Sequence, residues 1–164
     1  MKMSFSTLVR LMIVVLFLAL LFSSATNRSH QTLIDVPPEL NAPAERLVVQ
    51  PDGSVIHERT HFREVMANAE GIVVVDFWAS WCGPCMMMGP ELEKVAKTHP
   101  SDVTIIKVEM DAQTEAFARH FEVGGIPDVR FFQKGKAVGG FVGFHRADEI
   151  EKLLTSVPQP PENR

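Results

Sequence analysis

Only two cysteines occur in this 164-residue chain. That is too few for a disulfide-dense miniprotein or for a four-cysteine zinc or iron–sulfur site. Charge of one sign is never concentrated: 16 basic and 20 acidic residues give a formal net charge of -4, with no run of like charge. Neutralising a phosphate backbone needs a clustered positive surface, so nucleic acid is excluded as the main partner. Internal repeats and low-complexity tracts are also lacking. The length allows one domain with extra segments at its ends, not two full domains. With 46% hydrophobic and 22% charged residues, the composition is that of an ordinary globular protein.

What is present begins with a segment at the N-terminus. Lys2 and Arg10 precede an unbroken apolar run from Leu11 to Phe22, followed by Ser23, Ser24 and Ala25. A positive flank, a short apolar core and small residues at its end are the three parts of a secretory signal, with cleavage expected after Ala25. As a helix the run spans roughly 18 Å, well short of the ~30 Å hydrocarbon core. Leu8 and Val9 lengthen it, so an uncleaved N-terminal anchor is the alternative; a buried helix of the domain is disfavoured because no polar face interrupts the run. Either leading reading places the rest of the chain outside the cytoplasm. Residues 1–25 are therefore read as signal or anchor. Residues 26–53, with Pro37, Pro38, Pro43 and Pro51, are read as a linker or extended arm with a short strand at Leu47 to Val49. Residues 54–157 form the domain, and 158–164 a polar tail after Pro158.

Within the domain the periodicity alternates. Val55 to Glu58 reads as a strand, and Thr60 as the N-cap of a helix to Ala69. Ile72 to Trp78 is a near-continuous, β-branched apolar run, the pattern of a central strand covered on both faces. A long helix follows through Met86 to Thr98, bent at Pro90. Val103 to Met110 is a further strand and Thr114 to Phe121 a helix. Two strands, Val129 to Gln133 and Ala137 to Val142, flank a hairpin turn at Lys134-Gly135-Lys136. Ile150, Leu153, Leu154 and Val157 mark a closing helix. The expected class is α/β, a mixed central sheet with helices on both faces.

Both cysteines fall in Trp81-Cys82-Gly83-Pro84-Cys85, between the central strand and the long helix. Unpaired amides and the positive end of the helix dipole favour a thiolate there. Thiolate is the attacking species in disulfide exchange, which makes Cys82 the nucleophile and Cys85, one turn further in, the thiol that resolves the mixed disulfide. Pro84 suits the first turn, where its missing amide leaves nothing unsatisfied. A purely structural disulfide would close too short a loop to constrain much. A soft Cu(I) site made by the cysteines with Met86, Met87 and Met88 is the other alternative, but consecutive methionines on a helix point in different directions.

The stretch from Val75 to Cys85 resembles the active-site signature of thioredoxins. The likeness continues through Met87, Pro90, Ile105 to Val108, Asp111, Gly125-Ile126-Pro127, Phe132 to Gly135 and Val142-Gly143, in family order. It implies the thioredoxin fold and a protein-disulfide oxidoreductase, with a redox-active Cys82–Cys85 pair and neither metal nor organic cofactor. It further implies that Asp76 is a buried carboxylate serving proton transfer to and from Cys85, with Lys107 as its neighbour. Pro127 is implied to be cis, and Trp81, Gly83, Pro84, Gly125, Ile126 and Gly143 to line the groove where a protein substrate docks.

Gly83-Pro84 between the cysteines is similar to the reducing members of the family; a disulfide oxidant or isomerase, a Cu(I)-handling protein and a redox-inactive binding module are the rival readings. Outside the cytoplasm, sustained reduction needs a transmembrane thiol-relay protein, and the domain is expected to be a monomer. Two positions depart from the family pattern. Methionine occupies position 86, where lysine is common. Asp128 follows the proline where threonine is usual, and a carboxylate there is expected to oppose the Cys82 thiolate and to repel acidic partners.

Overall fold

The computed structural model describes residues 36–157; the apolar run, the first part of the arm and the tail from Pro158 lie outside the described residues. Six strands form one sheet: β1 (Pro43–Val49), β2 (Val55–His61), β3 (Ile72–Trp78), β4 (Val103–Glu109), β5 (Asp128–Gln133) and β6 (Lys136–Val142). They lie in the order β2-β1-β4-β3-β5-β6. Only β3 and β4 run parallel; every other neighbouring pair in this sheet is antiparallel. Among the described residues four helices join them: α1 (Phe62–Asn68), α2 (Gly83–Thr98), α3 (Glu115–His120) and α4 (Ala147–Ser156).

Strand periodicity sorts the core into two layers. Val73, Val75 and Phe77 of β3 point to one face with Phe62, Val65 and Met66 of α1 and Phe117 of α3. Ile72 and Val74 point to the other, with Met88, Leu92 and Val95 of α2 and Ile150 and Leu154 of α4. By the same period Asp76 falls on the α2 side, in a strand buried on both faces. The approach to β3 is tight. Ile72 N donates to Asp102 O at 2.9 Å, and a side chain on Gly71 would collide with that carbonyl. The expected β5–β6 hairpin is present, its loop only Lys134 and Gly135, both at positive φ, since Lys136 already belongs to β6.

The arm reading needs correction. Pro43–Val49 is a full strand inside the sheet, paired with β2 along its whole length and with β4 at Glu45↔Lys107 and Arg46↔Ile106. Proline at the first residue of the strand forfeits little of the ladder, and Leu47 reaches the core. The residues just before it are also tied down. Arg63 Nη1 donates to Val36 O, Arg63 N to Asn41 Oδ1 at 3.0 Å, and Phe62 N to Ala42 O at 2.9 Å. Thr60 is a strand residue of β2, not a cap; His61 is the N-cap of α1 and makes no side-chain bond there. Helix α2 runs through Pro90 without interruption.

Candidate active site

The loop leaving β3 turns directly into α2. Cys82 is the N-cap residue, and its sulfur accepts a hydrogen bond from Cys85 N at 3.2 Å. A disulfide joins Cys82 to Cys85, with their Cα atoms 5.2 Å apart. Cys85 is fully buried and Cys82 nearly so, in a small cluster with Ala79 that Trp78, Met110 and Ile126 enclose. Sixteen residues of helix direct the positive end of their dipole at these sulfurs, which stabilises a thiolate once the bond is opened.

Opposite the disulfide lies the connection into β5. The Ile126–Pro127 peptide bond is cis. Ile126 O is 3.7 Å from Cys82 Sγ. Pro127 O accepts from Gly143 N at 2.8 Å, which fastens this connection to the end of β6. Gly83, Pro84 and Gly125 are exposed, Ile126 and Gly143 are half-buried, and Pro127 is buried. Trp81 stands 76% exposed beside the cysteines, and Met86, Met87, Val142 and Phe144 are also exposed. Met88, by contrast, is fully buried among Leu92 and Val95, so the three consecutive methionines diverge. Among the described residues no group of three His, Cys, Asp or Glu side chains could hold a metal ion.

On β3, Asp76 is completely buried, and neither carboxylate oxygen has a hydrogen-bond partner. Burial pushes its pKa up to about 7; the Lys107 ammonium pulls it down in part, and the charge of Asp128 adds to the rise. Lys107 sits directly across from Asp76 in the β3–β4 register, with its Nζ 4.0 Å from the centre of the Trp78 ring. On the far side of Trp78 and Lys107, β1 and β2 complete a cavity of about 340 Å³, whose lining includes Glu45, Arg59 and Glu109 but neither cysteine. Around the buried sulfurs it is Trp81, Gly83 and Pro84 that are exposed, an open rim suited to a protein chain rather than a small molecule.

Asp128 does not do what the sequence suggests. It is 1% exposed, and Arg130 grips its carboxylate with two bonds, Nε to Oδ1 at 2.5 Å and Nη2 to Oδ2 at 2.7 Å. A buried, chelated carboxylate cannot repel an acidic partner at the surface. Arg130 is the residue that sequence reasoning missed. Its signal was there, since positions two apart on a strand share a face.

The thioredoxin family model matches residues 53–156. Among curated relatives, mitochondrial thioredoxin of Bos taurus is 39% identical over 99 residues, which are 60% of this chain and 59% of that protein. Mitochondrial thioredoxin of Mus musculus is 32% identical over 144 residues, covering 81% of this chain and 83% of its own. The chain thus spans less than two thirds of the bovine relative and most of the murine one. A solved structure of thioredoxin-2, described as a component of malaria parasite protein secretion machinery, aligns with a TM-score of 0.50. Its sequence identity is 25%, over 52% of this chain and 82% of that one.

Proposed function

Because this chain belongs to the thioredoxin family and carries a Cys82–Cys85 thiol–disulfide pair, we propose that it is an exported protein-disulfide reductase. The observation that carries this reading is the disulfide at the head of α2, flanked by an exposed tryptophan and backed by a buried carboxylate with a pKa of about 7. In the reduced protein the Cys82 thiolate attacks a substrate disulfide, forming a mixed disulfide and releasing one substrate thiolate. Cys85 then loses its proton to Asp76 and attacks Cys82 Sγ. The second substrate thiolate leaves, and the Cys82–Cys85 bond is restored. An acid titrating near neutrality can accept that proton and later return it. Lys107 assists by limiting how far burial raises Asp76.

The substrate strand would lie over Trp81, Gly83 and Pro84 on one side and Gly125, Ile126, Pro127 and Gly143 on the other. The dithiol itself is the redox centre in this reading, with no added cofactor. Export rests on Lys2, Arg10 and the Leu11–Phe22 run. Such a location requires a transmembrane thiol relay to recharge a monomeric domain.

The test is the reduction potential of residues 26–164 equilibrated against defined thiol–disulfide buffers. A value near about -270 mV, the range of reducing thioredoxins, supports the reductase. One near about -120 to -180 mV, the range of oxidants and isomerases, reverses the direction.

A further inference from the structure

The segment following the cis proline carries a charge that the exchange chemistry does not use. Asp128 comes immediately after Pro127, and the carbonyl preceding that proline, Ile126 O, is 3.7 Å from Cys82 Sγ. An anion two residues past that carbonyl, sealed from water, disfavours a thiolate at the cysteine the carbonyl faces. The structure places a cation on it: both carboxylate oxygens of Asp128 are held by Arg130, two residues along β5. β6 passes close against β5 beside this pair. The residue paired with Arg130 is Gly140, and a side chain there would press on Arg130 Cδ at 3.1 Å and on the β5 backbone. Val142, paired with Asp128, is uncharged.

We infer that Arg130 is a positioning residue for the dithiol: by chelating Asp128 it cancels the buried anion that follows the cis proline and so permits the Cys82 thiolate. The charges that bear on the pair are few. Asp76 on β3 feels Asp128, Glu122 after α3 adds to the field at Arg130, and Lys107 on β4 acts on Asp76 from the opposite side. Among these groups, Arg130 is the one that reaches the Asp128 carboxylate with hydrogen bonds.

The inference rests on the dithiol reading of the site. Its test is the pH dependence of iodoacetamide alkylation of the reduced protein, which reports Cys82 because Cys85 is fully buried. Arg130→Met leaves Asp128 unpaired. It is expected to raise the Cys82 midpoint by about one pH unit and slow alkylation at pH 6 about tenfold. Asp128→Asn leaves the guanidinium uncompensated and is expected to shift the midpoint down. The double variant returns it to within about twofold of the parent rate, as coupled charges require. If Arg130→Met does not fold, Asp128→Asn and the double variant decide, since neither buries an unpaired carboxylate. An unmoved midpoint in Asp128→Asn, or a double variant that keeps the shift of Asp128→Asn, overturns the inference. The two readings fail separately: an oxidising potential with these shifts present would sink the reductase direction and leave the role of Arg130 standing.

Discussion

Asp76 holds a completely buried carboxyl without a hydrogen-bond partner, and this has a cost to the fold. Its folded pKa of about 7 lies above the ordinary 3.8. Between those values the native state binds more protons than the unfolded chain, so this group makes stability fall as pH rises through that window. The difference between the two values corresponds to roughly 4 kcal/mol, present in full below pH ~4 and gone above ~7. Asp76→Asn should therefore stabilise the oxidised protein at pH 8 by about 2–4 kcal/mol and flatten the slope between about pH 5 and 7. The same substitution should slow disulfide reduction about tenfold or more. Urea denaturation across pH, beside an insulin-reduction assay, measures both; a variant no more stable than the parent at pH 8 would show that burial is not what raises Asp76. The carboxylates held low by hydrogen bonds, Asp52, Glu91, Asp111 and Asp148, act in the opposite sense and only in acid.

Among the elements, β1 changes the account most. The family match begins at residue 53, yet β1, upstream of it, is the strand that joins β2 to the rest of the sheet. A chain beginning at residue 53 would leave β2 without a partner and open the edge of β4. Burial of Leu47 together with Ala42 and Ala44 is worth about 3 kcal/mol by area. Residues 53–164 should therefore unfold at a distinctly lower urea midpoint than residues 36–164 and associate in solution. Equal midpoints with a monomeric short form would remove β1 from the folding unit. Its prolines shortened this strand in the sequence to Leu47 to Val49. Pro43 and Pro51 mark the first residue and the following turn, positions that read equally well as linker. β3, β4, the β5–β6 hairpin and α4 were legible because their signals agree: β-branched runs for β3 and β4, a glycine turn for β5–β6, and i, i+3, i+4 spacing for α4. The cysteine pair was plain at its helix head, and Arg130 lay within reach of Asp128 by the i, i+2 spacing of one strand; only the burial of Asp128 was hidden from sequence order.

At the scale of the whole molecule, the property to test is where the domain resides. The proposed export predicts a mature protein that begins at Thr26, readable as intact mass from the extracytoplasmic fraction. Recovery of full-length chain with the membranes indicates an anchor instead, and full-length chain in the soluble cytoplasm refutes export. Two cores separated by the sheet give the molecule a buried layer on each side of β3, so the site at the end of β3 rests on packing from both. The position of β1 has a mechanical consequence. A pull along β1 acts on a strand flanked antiparallel by β2 and β4. Tension along that strand loads both ladders at once, in shear, where an outer strand would peel open bond by bond.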